Sequence, residues 1–472
     1  MKMLFGALSA LLTVSSALAA TEDEQAAARA LYEKVVSFKS TAQHVRTPAL
    51  AGFLKSELVG AGFAAGDVEV VEIAGTAALV ARYRGAPDGR KQGKAKKPVL
   101  FLAHMDVVEA DPADWDHDPF TLREEDGWFI ARGVADNKYG VVNLTQAFMR
   151  LKREGFTPDR DLILVFTGDE ETEMASTRFL AFERPDLAEA EFALNSDAGG
   201  GALTPEGAVL PYFMQAAEKT YASFRVTARN PGGHSSAPRP DNAIYDLASA
   251  LLKISAYKFP VMSNEVTRES MRAEGALTGG EIGAALIAFA DDPKNKKAIK
   301  TLRASYDYGH MLSTTCVATQ LKGGHAENAL PQSAEAIVNC RIFPGVSVDD
   351  VRLTLGEVMK NPELEIVPVE ENYTASPVSE PRADVNAALQ AALDARHPGI
   401  KIVPAMSSGG TDGMHFRIAG VPTYGVSAGF STIGESENAH GLNERVRVKT
   451  FYDGLDHWVL LIKALAGGPG AN

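Results

Sequence analysis

The sequence predicts an α/β fold, a doubly wound and mostly parallel sheet interrupted by an inserted α+β domain. Three observations carry that expectation. From about residue 98 to 210, short apolar runs alternate with helical stretches. Near Tyr212 the character changes to β-rich segments mixed with helices, and after "SPVSEP" (376–381) the α/β alternation returns.

In the first stretch "VLFLA" (99–103), "DLILVF" (161–166) and "EFALNS" (191–196) read as buried strands of a parallel sheet. Between them "GVVNLTQAFMRLKREG" (140–155) and "STRFLAFERPDLAEA" (176–190) read as crossover helices. The middle of the chain supplies the β-rich runs "TYASFRVTAR", "STTCVATQL" and "SAEAIVNCRIF" and the helices "NAIYDLASALLKISA" and "SVDDVRLTLGEVMK". The closing α/β elements are a helix in "ADVNAALQAALDAR", a strand in "VPTYGVSAG" and a final helix over 449–466. The expected division is one discontinuous α/β domain, 20–215 with 377–472, and an insertion over 216–376.

Composition is that of a globular protein, 45% hydrophobic and 23% charged. A formal net charge of −13 argues against nucleic acid or an anionic membrane surface as partner, because such binding needs clustered Lys and Arg. The basic stretch "GRKQGKAKKP" (89–98) reads as a solvated loop. Residues 1–19 carry Lys2, a short apolar stretch and the small-x-small triplet ending at Ala19, the pattern of a secretory leader. The expected location is therefore exported, periplasmic or secreted. Cys316 and Cys340 are too few for a disulfide scaffold, and the sequence leaves open whether they pair across a hairpin or stay as buried thiols.

Several polar groups follow the apolar runs. "VLFLA" ends in His104-Met105-Asp106, "DLILVFTG" in Asp169-Glu170-Glu171, and "EFALNS" in Asp197. "VPTYGVSAG" leads one loop later to His440, and Asp136 sits in the turn-forming "ARGVADNKYG". Binding sites in open α/β sheets lie at the carboxyl ends of the strands, so parallel runs would bring these groups to one rim. Imidazole and carboxylate donors without thiolate suit zinc or another borderline divalent metal. Five ligands are enough for two ions if one carboxylate is shared, and a further carboxylate left free would be a general base.

The set "AHMDVV", "GVADNK", "GDEET", "NSDAGG" and "ENAHGLNE" resembles the di-zinc exopeptidase family of aminoacylase, acetylornithine deacetylase, succinyl-diaminopimelate desuccinylase and glutamate carboxypeptidase. The similarity runs from about 30 to 466, and "DPADWDHDPF" brings it nearest to the carboxypeptidase S-like branch. The resemblance implies two divalent ions, zinc by preference with cobalt or manganese as alternatives. His104 and Asp197 would hold one, Glu171 and His440 the other, and Asp136 would bridge them. Asp106 would orient the His104 ring, and Glu170 would be the general base. A cis peptide is implied at Asp136–Asn137, where the chain departs from the family with Asn137 and Tyr139 in place of the more frequent Asp and Gly.

The resemblance makes the inserted domain a lid and dimerisation domain. His234 would support the substrate oxyanion, often from a partner subunit. Asn328 and Arg341 would bind substrate, with Gly409, Gly410 and Thr411 of "SSGGTDG" meeting its carboxylate. The implied activity is hydrolysis of an amide bond beside a free carboxylate, by a carboxypeptidase, dipeptidase or N-acyl-amino-acid hydrolase acting on a peptide or N-acyl amino acid. A deacylase for a single acylated amino acid is the rival enzyme. A rival of another class, a peptide- or metal-binding protein on an inactive scaffold, would show a missing base or ligand, and Glu170 and all five ligands are intact.

Overall fold

The computed structural model describes residues 19–86, 96–370 and 373–467. The leader pattern therefore lies outside the described residues, apart from its last position, as does most of the basic stretch 89–98. Among the described residues no helix is long and apolar enough to cross a membrane.

The three apolar runs become the strands Val99–His104, Leu162–Thr167 and Phe192–Asn195, buried at every position. A strand covered on both faces has no polar alternation to show, which is why these runs are continuous. They pair in parallel with Val99–His104 in the middle, and Thr423–Gly425 extends the parallel set beyond Phe192–Asn195. The whole sheet has eight strands. The antiparallel hairpin Val68–Ile73 and Thr76–Tyr83 closes one edge, and Tyr212–Glu218 and Ile402–Ser407 close the other.

Successive side chains of the central strand serve opposite faces. Leu100 and Leu102 join Ile163, Val165, Leu180 and Phe416 on one side. Phe101 points to the other, where it meets Phe148 of the helix Lys138–Arg153 and Trp458 of the final helix Val448–Ala466 edge-on. Helices on both faces make the sheet doubly wound.

The chain divides into two compact units, 1–216 with 379–403 and 411–472, and 217–378 with 404–410. Residues 404–410, expected with the first unit, group with the second, where Ser407 accepts a backbone bond from Lys219. The second unit has an antiparallel sheet in the order Thr315–Gly323, Ser333–Ile342, Thr220–Arg229, Glu365–Pro368. The helices Ala243–Ala256 and Val348–Met359 pack Leu247, Ile254, Val351 and Leu355 onto Phe224, Val226 and Val338. Cys316 and Cys340 lie directly opposite each other in register and form a disulfide. Three further helices, Glu265–Thr278, Gly280–Asp291 and Lys296–Ala304, have their own core around Met271, Leu286, Phe289 and Leu302. The sequence reading placed no element there, because the first and third are rich in charge and the Gly279-Gly280 pair interrupts the pattern before the apolar second.

Candidate metal centre

His104 is the last residue of its strand and is fully buried. Its Nδ1 lies 3.0 Å from the main-chain carbonyl of Asp106, which assigns the proton to that nitrogen. Nε2 then faces two carboxylates, Asp136 Oδ1 at 2.9 Å and Asp197 Oδ1 at 3.5 Å. Asp197 stands two residues beyond the strand Phe192–Asn195, with its backbone N–H on Asn195 and its Oδ1 accepting from Asn137 at 2.9 Å.

The other oxygen of Asp136 looks a different way. Oδ2 is 3.0 Å from His440 Nε2, and the same nitrogen is 3.0 Å from Glu171 Oε2. Asp136 thus divides its two oxygens between two donor groups, His104 with Asp197 and His440 with Glu171. Glu171 Oε1 is buried with no hydrogen-bond partner. An orphaned carboxylate oxygen is costly unless a cation meets it. Ligand atoms of His104, Asp136 and Glu171 lie within 4.8 Å of one another, close enough to share an ion. The donor set, two imidazoles and three carboxylates, fits a pair of borderline divalent cations.

Charge in the cluster is strongly perturbed. Burial works to lower the pKa of His104, but the surrounding Asp197, Asp106 and Asp136 carry it well above the usual imidazole value. Burial opposes ionisation of Asp136, yet hydrogen bonds from His104 and His440 hold it below the usual carboxylate range. Bonds to Asp136 and Glu171 push His440 up to about 10. Glu170 differs, because burial raises its carboxyl well above the ordinary value and His104 only partly offsets this.

Asp106 does more than expected. The His104 ring bonds to its carbonyl, and its carboxylate is 3.5 Å from the ring nitrogen. That carboxylate also accepts the backbone N–H of Glu170 at 3.1 Å and of Glu171 at 2.9 Å. One side chain so fixes the turn carrying both the expected base and an expected ligand. Asp169 turns away and caps the helix Ala175–Phe182 through the N–H groups of Ala175 and Ser176. The Asp136–Asn137 peptide is cis. His440 has φ of 63°, a left-handed backbone uncommon for a residue with a Cβ.

Of the remaining expected residues, His234, Asn328, Arg341, Gly409 and Gly410 belong to the second unit and Thr411 to the first. His234 pairs with Ala329 in a two-residue ribbon, and Ser235 donates to the Asn328 carbonyl, so two of these candidates share one small structure. Both are exposed, and His234 Nδ1 is engaged by Ser236. Arg341 stacks 4.8 Å over the Tyr221 ring, and burial lowers its pKa. Gly409 N–H is taken by Ser407 Oγ. Thr411 is buried, its hydroxyl accepting from Asn195 and from the N–H of Gly413.

The sequence reading missed Glu444. It is 1% exposed and pairs with the equally buried Arg132. It closes the motif "ENAHGLNE", but an acid four residues past His440 carries no local sign of what it holds.

The model for Peptidase family M20/M25/M40 matches residues 100–464. The N-fatty-acyl-amino acid synthase/hydrolase PM20D1.1 of Danio rerio is 24% identical over 369 residues, covering 75% of this chain and 70% of its own. Probable carboxypeptidase S-like 2 of Dictyostelium discoideum is 25% identical over 398 residues, covering 82% and 75%. Among solved structures, the M20 family metallo-carboxypeptidase Sso-CP2 of Sulfolobus solfataricus superposes with a TM-score of 0.69 at 19% identity, over 93% of this chain and 99% of that one. The chain belongs to Peptidase family M20/M25/M40.

Proposed function

We propose that this M20-family enzyme is an exported zinc-dependent hydrolase that cleaves an amide bond next to a free carboxylate, in a peptide or an N-acyl amino acid. The observation that carries the reading is the division of the Asp136 oxygens between two donor groups. Two divalent ions, zinc by donor chemistry, would be held by His104 and Asp197 and by His440 and Glu171, with Asp136 between them, and would supply Lewis acidity toward a substrate carbonyl and an attacking water.

The protein's own groups do the proton work. Glu170 takes a proton from the attacking water and returns it to the leaving amine, and burial suits its carboxyl to holding that proton in between. Asp106 holds Glu170 and Glu171 by their backbones. His234 donates to the developing oxyanion, while Asn328, Arg341 and the 409–411 loop bind substrate, the guanidinium offering a planar fork for its carboxylate.

Support for export comes from the leader pattern of residues 1–19 and from the Cys316–Cys340 disulfide, which suits an oxidising compartment. The partner proposed for the second unit is another copy of this chain. Thr315–Gly323 is an edge strand with Val317 and Leu321 exposed, beside exposed Ile244 and Leu252 of the helix Ala243–Ala256, around a groove of about 860 Å³. Mixing His234→Ala with Glu170→Gln tests whether His234 acts across such a dimer: activity recovers if it does and stays absent if each chain works alone.

The deciding experiment is amino acid release from a panel of dipeptides and N-acyl amino acids by zinc-loaded protein and its Glu170→Gln variant. Release that vanishes in the variant supports the hydrolase, and the preferred substrates separate peptidase from deacylase. Absence of release with metal bound would replace it by the binding-protein reading.

A further inference from the structure

Glu444 lies buried behind the cluster, and all its acceptor capacity is spent on one stretch of chain. Oε1 accepts from the backbone N–H of Ala135 at 2.8 Å and of Asp136 at 3.0 Å. Oε2 accepts from the N–H of Gly133 at 3.0 Å and from Arg132 Nη1 at 2.6 Å. The backbone that ends in Asp136 is thus wrapped around a single carboxylate. Arg132, 2% exposed, looks the other way with its second nitrogen. Nη2 donates to the carbonyls of Gly441 at 3.0 Å and His440 at 3.4 Å, and the guanidinium lies 5.2 Å from the centre of the Trp115 ring.

The pair therefore touches the main chain of two residues whose side chains meet, Asp136 and His440. These segments are about 300 residues apart in sequence, and what brings them together is the ribbon in which Arg445–Arg447 pairs with Trp128–Ile130. The ribbon sets their approach, but it stops before both functional residues. His440 needs more than that, because it is exposed and holds a left-handed backbone on a loop. A purely stabilising role is a poor account of Glu444 and Arg132, since burying two charges costs about as much as their attraction returns.

We propose that Glu444 and Arg132 are a positioning pair, holding the Asp136 turn and the His440 loop in register so that Asp136 Oδ2, His440 and Glu171 converge on one divalent cation. The inference rests on the metal-centre reading above. Neither residue faces substrate, and both act through the ligands they hold. The ion on the His104 and Asp197 side depends on them less, because those two donors are set by neighbouring parallel strands.

The test is titration of the metal-stripped full chain with cobalt(II), followed by visible absorption and calorimetry, beside melting of the metal-free protein. Arg132→Lys keeps the charge facing Glu444 but loses the fork that reaches the His440 and Gly441 carbonyls. Glu444→Gln keeps the shape but points an amide NH₂ at two donors. The expected result for Arg132→Lys is one ion bound as in the parent and the other weakened roughly 10- to 100-fold, the usual cost of losing a partner that orients a ligand. Near-parent melting of the metal-free protein should accompany it, and Glu444→Gln should follow the same pattern more strongly. If Glu444→Gln does not fold, Arg132→Lys decides alone. Two ions bound with parental affinity, or two weakened alike, would overturn the proposal. A parent protein that takes up no pair of ions would instead overturn the metal-centre reading.

Discussion

His104 and His440 offer the same atom to the same carboxylate, Nε2 to Asp136 at 2.9 and 3.0 Å, yet they are built in opposite ways. The His104 side chain is fully buried at the end of a parallel strand, and that of His440 is 54% exposed on a loop. A strand end delivers its side chain by regular geometry, and the neighbouring strands hold it without further devices. A loop has no such frame, so it needs a left-handed residue, a ribbon and a buried carboxylate–guanidinium pair. Two donors of equal chemistry thus differ in what must be conserved around them for the site to form.

The largest effect expected is at Glu170, common to both halves. Glu170→Gln should lower hydrolysis by roughly 10²- to 10⁴-fold with both ions still bound, measured as turnover beside metal content. Loss of an ion together with activity would make Glu170 a ligand and redraw the comparison.

Another buried histidine serves as control. His415 of the helix Gly413–Ile418 packs edge-on against Phe182, and burial, helped by Arg178, lowers its pKa to about 4. Its folded value lies below the unfolded one, so between about pH 6.5 and 4 the unfolded chain binds the extra proton. Stability from this group is present above that window and is lost as pH falls through it. His415→Leu should remove up to about 3 kcal/mol of the acid-side loss, read from denaturant unfolding at pH 7 and pH 4. An unchanged acid slope would mean that His415 is not held neutral. Burial without a facing carboxylate thus keeps an imidazole neutral, and it is facing carboxylates that make His104 a candidate ligand.

The smallest effect separates the two halves directly. In metal-free protein His104→Ala should cost about 2 kcal/mol, as it empties a packed site and leaves carboxylates facing each other. His440→Ala should stay within about 0.5 kcal/mol, as exposed substitutions do, while still losing metal affinity. Equal losses in chemical unfolding would erase the distinction between strand-borne and loop-borne ligands.

The same distinction explains what was legible beforehand. Apolar runs that stop in His104, in Glu170 and Glu171, and in Asp197 announce both a buried strand and the group it delivers. Glu444 closes the motif "ENAHGLNE" without showing its job, because that job lies in four donors from a segment about 300 residues away. Asp106 was legible as a member of the site but not in its second job, since a carboxylate that also takes two backbone N–H groups looks in sequence like one facing only a ring. The helices over 265–304 were hidden by charge in the outer two and by the Gly279-Gly280 break before the apolar middle one, and the boundary at 404–410 by a strand that runs from one unit into the other.

By itself, then, the sequence determined the α/β sheet, the order of its strands' functional ends and the types of donor they carry, because local periodicity and residue chemistry are short-range properties. Only the tertiary structure decided which oxygen of Asp136 faces which imidazole, that Glu171 keeps a buried oxygen free, and that Glu444 and Arg132 bind two distant loops into one site. Those are relations between atoms far apart along the chain, and packing alone brings them within hydrogen-bond reach.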